Sequence, residues 1–299
     1  MEIAVISGKG GTGKSSITAA FATLAKSSVL ADCDVDAANM HLIMNPEIGE
    51  SEVYIAGEKA VIDYSKCRSC GLCQEYCRFD AIRFGEGKYE IDEVSCDGCR
   101  LCSRICPAGA ITMHKNDKSR MHSGVYRYGH MVFGRLEPGE ENSGKLVAMV
   151  RSKARDIAEK SGIKTILIDS PPGIGCAVIS SVTGVDRIFV VTEPSMSAFS
   201  DLKRTVELIM RFGTKMSVII NKYDLAPTVT ELIEKYCRDN KIELSGKLPF
   251  DEEFVHAMVQ CKSIIETKPG SDAGIMLSEI WKHLVNEKFI QQIQITNIN

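Results

Sequence analysis

The sequence predicts an α/β fold in which a doubly wound, mostly parallel sheet is interrupted by a small α+β insert. Short apolar runs alternate with helical patterns in the first and last parts of the 299-residue chain, and such runs are typical of strands that helices cover on both faces. Between these parts the alternation stops over a stretch that holds eight of the twelve cysteines. That stretch is therefore predicted to fold separately.

The first part of the chain begins with a predicted strand over 2–7, a glycine-rich loop, a helix over 16–25 and a strand over 29–32. The alternation resumes near residue 145 and predicts a longer series of elements. The later predicted helices cover 145–160, 176–183, 197–212 and 227–240, with a last one from about 275, and the later strands cover 165–169, 187–192, 215–221 and 243–249.

The interruption defines the predicted domains. We expect residues 1–57 and 116–299 to form the main domain and residues 58–115 to form the insert. Residues 116–130 are rich in Lys, Arg, His, Ser and Gly and show little apolar periodicity. They are predicted to be a return linker or a surface loop.

The composition argues against several classes of function. A formal net charge of −3 without any block of like charges leaves no cluster of Lys and Arg to neutralise nucleic-acid phosphates. The chain lacks the run of about 20 apolar residues that a membrane helix needs, and the first strand leaves no room for a signal peptide. The tail 289–299 has no cation to support an amphipathic membrane anchor. We expect a cytoplasmic protein that binds neither nucleic acid nor a membrane.

Residues 8–15 match the phosphate-binding pattern G-x-x-x-x-G-K-[ST] between a predicted strand and a predicted helix. Glycines let successive backbone N–H groups turn towards phosphate oxygens, and the start of the helix adds a positive dipole end. Lys14 is expected to reach the outer phosphates and Ser15 to bind magnesium. The predicted nucleotide-binding residues of this loop are Gly8, Lys9, Gly10, Gly11, Thr12, Gly13, Lys14, Ser15 and Ser16.

Two later strand ends extend the predicted site. Asp169 ends an apolar strand, where a carboxylate can hold magnesium through a water molecule and the glycines that follow can move when a phosphate leaves. Asn221 and Asp224 form an N-K-x-D pattern at another strand end, which in GTPases selects guanine through the aspartate.

Lys9 makes the loop resemble one class of ATPases. The run from Lys9 to Ser15, K-G-G-T-G-K-S, is similar to the deviant Walker-A loop of the MinD/ParA/Mrp and nitrogenase iron-protein class. The resemblance implies a slow, partner-stimulated P-loop ATPase and an ATP-dependent homodimer, with catalytic roles for Lys9, Lys14 and Asp34. Asp34 would orient the attacking water or contact magnesium. Asn221 would bind adenine, so the resemblance favours ATP and ADP over guanine nucleotides.

The eight clustered cysteines form two runs of the same spacing, C-x2-C-x2-C-x3-C. This is the spacing of bacterial two-cluster ferredoxins, in which the fourth cysteine ligates the other cluster. The predicted ligands are Cys67, Cys70, Cys73 and Cys106 for one 4Fe-4S cluster, and Cys96, Cys99, Cys102 and Cys77 for the second. Two zinc sites are the alternative, although zinc sites prefer paired C-x2-C units with a longer spacer between them.

The insert repeats internally with an offset of 29 residues, since the pair at 62–63 recurs at 91–92 and each cysteine recurs at the same offset. Two similar halves predict a pseudo-twofold module. Arg78 departs from the ferredoxin pattern, because it follows Cys77 where proline is expected, whereas Pro107 is present in the second run. A cation at that place could raise the potential of one cluster.

Cys176 lies where the nitrogenase iron protein carries a ligand for a cluster shared across its dimer. The partner ligand is missing, because Asn142 stands at the position of the second cysteine. We therefore expect Cys176 to act as a small buried apolar residue rather than as the ligand of a third cluster.

Nearly the whole chain resembles MinD-superfamily ATPases that contain an inserted ferredoxin domain. An electron carrier placed inside an ATP-driven switch suggests that ATP hydrolysis controls electron delivery to an unidentified redox partner protein. Two other functions stay open. One is an assembly or carrier ATPase that serves a metallocentre partner, and the other is a MinD/ParA-like positioning ATPase whose clusters act only as sensors or structural staples.

Overall fold

The computed structural model describes residues 1–55, 57–140 and 143–296, with side chains described up to residue 286. The chain forms two compact units. The larger unit comprises Met1–Glu50, His122–Gly134 and Gly144–Asn299, and the smaller unit comprises Ser51–Met121 and Arg135–Ser143. The predicted insert lies within the smaller unit, and the domain boundaries themselves stay a prediction.

Nine strands of the described chain form one sheet. They are β1 (Glu2–Ser7), β2 (Ser28–Asp32), β3 (Glu47–Tyr54), β8 (Ser119–Tyr126), β9 (Gly129–Arg135), β10 (Ile166–Pro172), β11 (Arg187–Thr192), β12 (Lys215–Asn221) and β13 (Glu243–Leu248). Their order is β13-β12-β11-β1-β10-β2-β9-β8-β3. Every neighbouring pair from β13 to β9 is parallel, which confirms the prediction of a mostly parallel α/β sheet.

Helices alternate with these strands. They are α1 (Lys14–Ala25), α2 (Met40–Met44), α5 (Ser143–Ser161), α6 (Cys176–Val182), α7 (Met196–Met210), α8 (Pro227–Asp239), α9 (Glu253–Val259), α10 (Ile264–Thr267) and α11 (Asp272–Thr296). Most lie within a few residues of their predicted bounds. The short helices α2, α9 and α10 were not predicted, because each is too brief to show a helical period in the sequence.

The core of the larger unit lies against α1. Phe21 is fully buried, and its ring centroid lies 5.2 Å from that of Phe189 on β11 and 5.6 Å from that of Trp281 on α11. Aromatic side chains of this size bury about 150–250 Å² each. This packing fixes α1, and with it the loop that precedes α1, against the centre of the sheet.

The prediction for residues 116–130 was wrong, because most of this segment lies in β8 and β9 of the main sheet. The buried positions of β8 are Ser119, Met121, Ser123 and Tyr126. Two of the four are serines, so the strand lacks the apolar alternation that usually reveals a half-buried strand. Tyr126 is instead anchored by a hydrogen bond between its hydroxyl and that of Ser28, 2.6 Å apart.

The smaller unit contains two strand pairs and two short helices. Its elements are β4 (Glu58–Ile62), α3 (Leu72–Glu75), β5 (Ile82–Gly85), β6 (Lys88–Ile91), α4 (Leu101–Ile105) and β7 (Ile111–Lys115). β4 pairs antiparallel with β7, and β5 pairs antiparallel with β6.

The sequence repeat is reproduced in the contacts of the smaller unit. Ile62 faces Ile111 across one strand pair, and Ile91 faces Ile82 across the other. The repeat also governs the backbone, because three pairs of positions separated by 29 residues all have positive φ. These pairs are Ser69 and Gly98, Gly71 and Arg100, and Asp80 and Gly109. The pseudo-twofold relation of the two halves therefore follows the predicted register.

Among the described residues, none of the helices is both long enough and apolar enough to cross a lipid bilayer.

Candidate functional site

The phosphate-binding loop connects β1 to α1 at the carboxyl edge of the sheet. α1 begins at Lys14, two residues before the predicted start. Gly11 and Gly13 have φ values of 82° and 90°, a region that L side chains rarely enter. A Cβ at Gly13 would also lie 2.3 Å from Nδ2 of Asn221. Glycine is therefore required here both by backbone conformation and by close packing.

Lys14 and Ser15 converge on Asp169, which lies on β10. The Lys14 ammonium lies 2.9 Å from Oδ1 of Asp169, and Ser15 Oγ donates a 2.6 Å hydrogen bond to Oδ2. Thr18 adds a third hydrogen bond, of 3.0 Å, to Oδ1. Lys14 is 6% exposed and Asp169 is 1% exposed, so these charges meet away from bulk water.

Two further carboxylates surround the lysine. Oδ2 of Asp34 lies 3.8 Å from the Lys14 ammonium, and burial raises the pKa of Asp34 to about 6. Burial, with the nearby charge of Asp169, raises the pKa of Asp32 to about 8. Burial alone would lower the pKa of Lys14, but the three carboxylates raise it above its ordinary value. The lysine therefore stays cationic.

Asp32 orients the segment that carries Asp34. Its two oxygens accept hydrogen bonds from the backbone N–H groups of Asp34 and Met40, each at 3.1 Å. From the sequence, Asp32 could share the magnesium shell or cap the end of its strand, and its hydrogen bonds to the following backbone were not predicted. Its position at the end of a buried strand, two residues before Asp34, was the available signal.

A cavity opens over the phosphate-binding loop and has two chemically different parts. Its polar part is formed by Gly10, Gly11, Thr12, Gly13, Lys14, Ser15, Ser16, Asp34 and Asn221. Its apolar part includes Ile43, Phe250, Phe254, Val255 and Met258. A polar end beside an apolar wall suits a ligand with a phosphate chain and a flat base.

The N-K-x-D motif is used differently by its members. Asn221 lines the cavity, but its Nδ2 donates a 2.8 Å hydrogen bond to the carbonyl oxygen of Thr12. Oδ1 of Asp224 accepts a 2.7 Å hydrogen bond from the backbone N–H of Phe250. Lys222, which the sequence analysis left without a role, lines the cavity and donates to the Gly11 carbonyl at 3.1 Å.

Lys9 is not among the residues that line this cavity. Its side chain is 42% exposed, and its ammonium lies 3.6 Å from Glu193 and 3.3 Å from Oγ of Ser197. Glu193 also pairs with Lys222 at 3.1 Å. Gly8 packs closely against α7, because a Cβ there would lie 2.8 Å from Asp201.

In the smaller unit, the eight cysteines surround two cavities. These cavities are similar in size and are called cavity A and cavity B below. The cysteines of cavity A are Cys67, Cys70, Cys73 and Cys106, and those of cavity B are Cys77, Cys96, Cys99 and Cys102. Each quartet thus takes three cysteines from one run and the fourth from the other run.

The thiols of each cavity influence one another. Burial, with the nearby thiols of Cys96, Cys99 and Cys77, raises the pKa of Cys102 to about 11. At cavity A, the backbone N–H of Ala110 donates a 3.3 Å hydrogen bond to Sγ of Cys106. Among the described residues, no group of three or more His, Cys, Asp or Glu side chains is placed to hold a single metal ion.

Comparison with protein families decides the relationship of the chain. The family model of the CobQ/CobB/MinD/ParA nucleotide-binding domain matches residues 3–264. The chain belongs to this family. The match begins within β1 and takes in the phosphate-binding loop, Asp34, Asp169 and Asn221.

Known proteins similar to this member of the family include two from Methanocaldococcus jannaschii. Uncharacterized protein MJ0578 is 36% identical over 74% of this chain and 78% of its own length. Uncharacterized ATP-binding protein MJ0547 is 25% identical over 98% of this chain and 90% of its own length. The septum site-determining protein MinD from Pyrococcus horikoshii, solved with Mg-ADP, shares the fold with a TM-score of 0.56 and 16% identity over 95% of both chains.

The expectation for Cys176 was wrong, because this cysteine is exposed at the start of α6. It lies beside the first turn of α5, where a Cβ at Gly144 would be 3.4 Å from that of Cys176. The three residues before it are Gly173, the exposed Ile174 and Gly175, so no large side chain from this segment covers the start of the helix. Asn142, the other position of interest, lies outside the described residues.

Proposed function

We propose that this member of the CobQ/CobB/MinD/ParA family is a magnesium-dependent ATPase that works as a switch. The observation that carries the proposal is the placement of Lys14, Ser15 and Asp34 in the lining of a single cavity, with the buried Asp169 hydrogen-bonded to Lys14 and Ser15. Asp224 accepts a backbone hydrogen bond from Phe250 and is not among the residues that line the cavity. This placement supports an adenine rather than a guanine nucleotide.

The residues of the site divide the chemical work. The glycines of the loop present backbone N–H groups to phosphate oxygens, and Lys14 supplies a fixed positive charge for the outer phosphates. Ser15 and Asp169 would hold magnesium with Asp34, and magnesium when bound neutralises charge on the phosphates. Asp34 would orient the attacking water. Asp32 keeps Asp34 in place through the Asp34 backbone N–H.

Homodimer formation with ATP is part of the proposal. Lys9 is exposed and is not among the residues that line the cavity of its own chain, so it is available to a second copy of the chain. Its present partner, Glu193, would have to release it. A partner protein that favours the released state would stimulate hydrolysis.

We further propose that the smaller unit is a ferredoxin-like module whose cavities hold two 4Fe-4S clusters. The support is the division of the eight thiols into two mixed quartets, each of which lines one cavity. The spacing within each run also supports clusters, because zinc sites prefer paired C-x2-C units with a longer spacer between them. When bound, the clusters would supply one-electron transfer.

The output of the switch would be nucleotide-controlled electron transfer to a redox partner. The test is an anaerobic redox titration of the reconstituted full chain, followed by EPR, with ADP, with ATP and with a non-hydrolysable analogue. We expect the midpoint potential of at least one cluster to shift with ATP, and the shift to be altered by Asp34→Ala. Midpoint potentials that are the same with ADP, with ATP and with the analogue would reject nucleotide-controlled electron transfer as the output.

A positioning ATPase is the second candidate function, and it has more support from the comparisons. One solved structure that shares the fold over 95% of this chain is a septum site-determining protein, whereas neither of the two relatives described above carries a redox name. ATP-dependent recruitment of the chain to phospholipid vesicles would favour positioning. Recruitment that persists in Cys70→Ser and Cys99→Ser would show that the cysteine module is not needed for it.

Assembly of metallocentres is the remaining alternative. It predicts that the loaded chain transfers iron and sulfide to an apo-acceptor protein. Retention of both clusters in the presence of an apo-ferredoxin and ATP would argue against it.

A further inference from the structure

The internal repeat of the smaller unit places Lys59 and Lys88 at equivalent positions, since the two lysines are separated by the repeat offset of 29 residues. Lys59 lies in β4, and Lys88 begins β6. Exact twofold symmetry would give the two side chains equivalent partners. The structure gives them different partners, and the difference affects only one of the two cavities.

Lys59 is held against the backbone of cavity B. Its ammonium donates a 2.6 Å hydrogen bond to the carbonyl oxygen of Cys96 and a 2.7 Å hydrogen bond to that of Gly139. Lys59 is half-buried, and Cys96 is 9% exposed. Both acceptors are neutral, and no carboxylate of the described residues forms an ion pair with this lysine. Its full charge therefore remains beside a cavity B cysteine.

Lys88 contacts other side chains instead. Its side chain is 47% exposed and forms a 2.9 Å ion pair with Glu90. The ammonium also lies 5.4 Å from the centroid of the Tyr64 ring. If Lys88 made the contact equivalent to that of Lys59, its ammonium would donate to the carbonyl oxygen of Cys67 at cavity A. The charge of Lys88 is instead balanced by a carboxylate and screened by water.

Two glycines allow the close backbone approaches around Lys59. A Cβ at Gly98 would lie 2.2 Å from the carbonyl oxygen of Glu58, and a Cβ at Gly139 would lie 2.1 Å from that of Val94. Only glycine lets the start of β4 approach the cavity B loop so closely. The position equivalent to Gly98 in the other half is Ser69, so the first half lacks this approach.

The other charged groups near the cavities are exposed, so water screens their charges. Arg78, which the sequence analysis singled out, is exposed. Arg100 at cavity B is exposed and paired with Glu58. Arg68 lines cavity A and Asp97 stands at the equivalent position of cavity B, so this pair opposes the effect of Lys59, but both side chains are exposed. The N–H of Ala110 favours reduction at cavity A, but it is a neutral dipole and acts more weakly than a full charge.

We propose that Lys59 is a positioning residue that makes the cluster of cavity B the easier of the two to reduce. The inference rests on the proposed clusters. Reduction adds one electron to a cluster, and a fixed positive charge nearby stabilises the more negative state. Electrons delivered to the module therefore come to rest at cavity B, and cavity A serves as the entry or relay point.

The test compares the full chain with Lys59→Met, Lys88→Met and Lys59→Arg, each reconstituted anaerobically, by EPR-monitored titration with dithionite and a dye oxidant. Iron and sulfide contents are measured on every sample. Cys70→Ser and Cys99→Ser, each retaining one cluster, assign the two signals. Lys59→Met is expected to weaken reduction at cavity B on the order of tenfold, which is about 59 mV for one electron. Lys88→Met is expected to change neither potential, and Lys59→Arg to keep the wild-type value.

Several outcomes overturn the inference. Unchanged potentials in a fully loaded Lys59→Met protein would do so, as would equal shifts at both clusters or a Lys59→Arg protein that behaves like Lys59→Met. If Lys59→Met loses iron, Lys59→Gln keeps a hydrogen-bond donor without the charge and must show the same shift at cavity B. A wild-type chain that holds no iron or sulfide rejects the proposed clusters before any substitution is made, so the two failures are distinguishable.

Discussion

The nucleotide site and the cysteine module are built in opposite ways. The nucleotide site brings Lys14 to Asp169 and Thr12 to Asn221, across 155 and 209 residues of the sequence. The cysteine module draws all eight thiols from residues 67–106. The nucleotide site therefore depends on the register of a nine-stranded sheet, whereas the module depends on short spacings that are repeated once. We expect each to tolerate damage to the other.

Lys14→Met is expected to have the largest effect. It leaves the buried Asp169 without its cation, and breaking a buried ion pair costs about 3–5 kcal/mol of unfolding free energy. Loss of the charge at the outer phosphates should lower ATP turnover by on the order of 10²–10³. Phosphate release and urea unfolding measure the two effects. Lys26→Met, on an exposed residue at the end of α1, is the control.

The same variant tests the independence of the module. Iron and sulfide contents of Lys14→Met should equal those of the wild type. A parallel loss of clusters and ATPase activity would contradict the comparison.

Cys70→Ser and Cys99→Ser form a matched pair, because the repeat makes the two exposed cysteines equivalent. Each variant should lose one cluster and about half of the bound iron, while ATP affinity stays within about twofold of wild type. Iron analysis and a fluorescent-nucleotide titration measure these quantities. Loss of both clusters from either variant would show that the cavities do not load separately.

Glu2→Gln tests the sheet that supports the nucleotide site. Glu2 accepts hydrogen bonds from the buried Arg151 at 2.6 Å and from Arg155, and hydrogen bonds of this charged kind contribute about 1.5–3 kcal/mol. Burial alone would raise the pKa of Glu2, but Arg155 and Arg151 lower it below its ordinary value. We expect a loss of about 2 kcal/mol at pH 7, measured by urea unfolding.

The pH dependence of this loss has a definite sign. A carboxylate with a lowered folded-state pKa stabilises the protein above its unfolded pKa, and that stability is lost as the pH falls through the folded value. The difference in unfolding free energy between wild type and Glu2→Gln should therefore decrease below pH 4.5, the ordinary pKa of Glu. Glu159→Gln, on an exposed residue of α5, should have the wild-type free energy of unfolding both at pH 7 and below pH 4.5.

Glu193→Gln is expected to have the smallest effect on stability. It removes the pairing of Glu193 with the exposed Lys9 and with Lys222, and surface pairs contribute about 0–1 kcal/mol each. Release of Lys9 should nevertheless increase ATP-dependent self-association, which sedimentation velocity with ATP and with ADP would measure. Self-association equal to that of the wild type would show that this pair does not restrain Lys9.

The sequence analysis predicted features that depend on local spacing better than features that depend on packing between distant segments. The cysteines line the two cavities in the predicted groups of four, because the spacing of a local repeat can be read directly from the chain, and their role as cluster ligands stays a prediction. Tyr126 and the rest of β8 were missed, because serines occupy buried positions there. The exposure of Cys176 was missed as well, since burial depends on packing that no single-residue propensity contains.

By itself the sequence determined the alternating α/β order, the phosphate-binding loop and the pseudo-twofold cysteine repeat, since each rests on periodicity or spacing within a few tens of residues. Only the tertiary structure decided that Asp32 holds Asp34, that Asp224 binds the backbone of Phe250, and that Lys59 and Lys88 have different partners. These are contacts between segments. They depend on the register in which strands pair and on how closely two backbones approach, and neither quantity is fixed by local sequence.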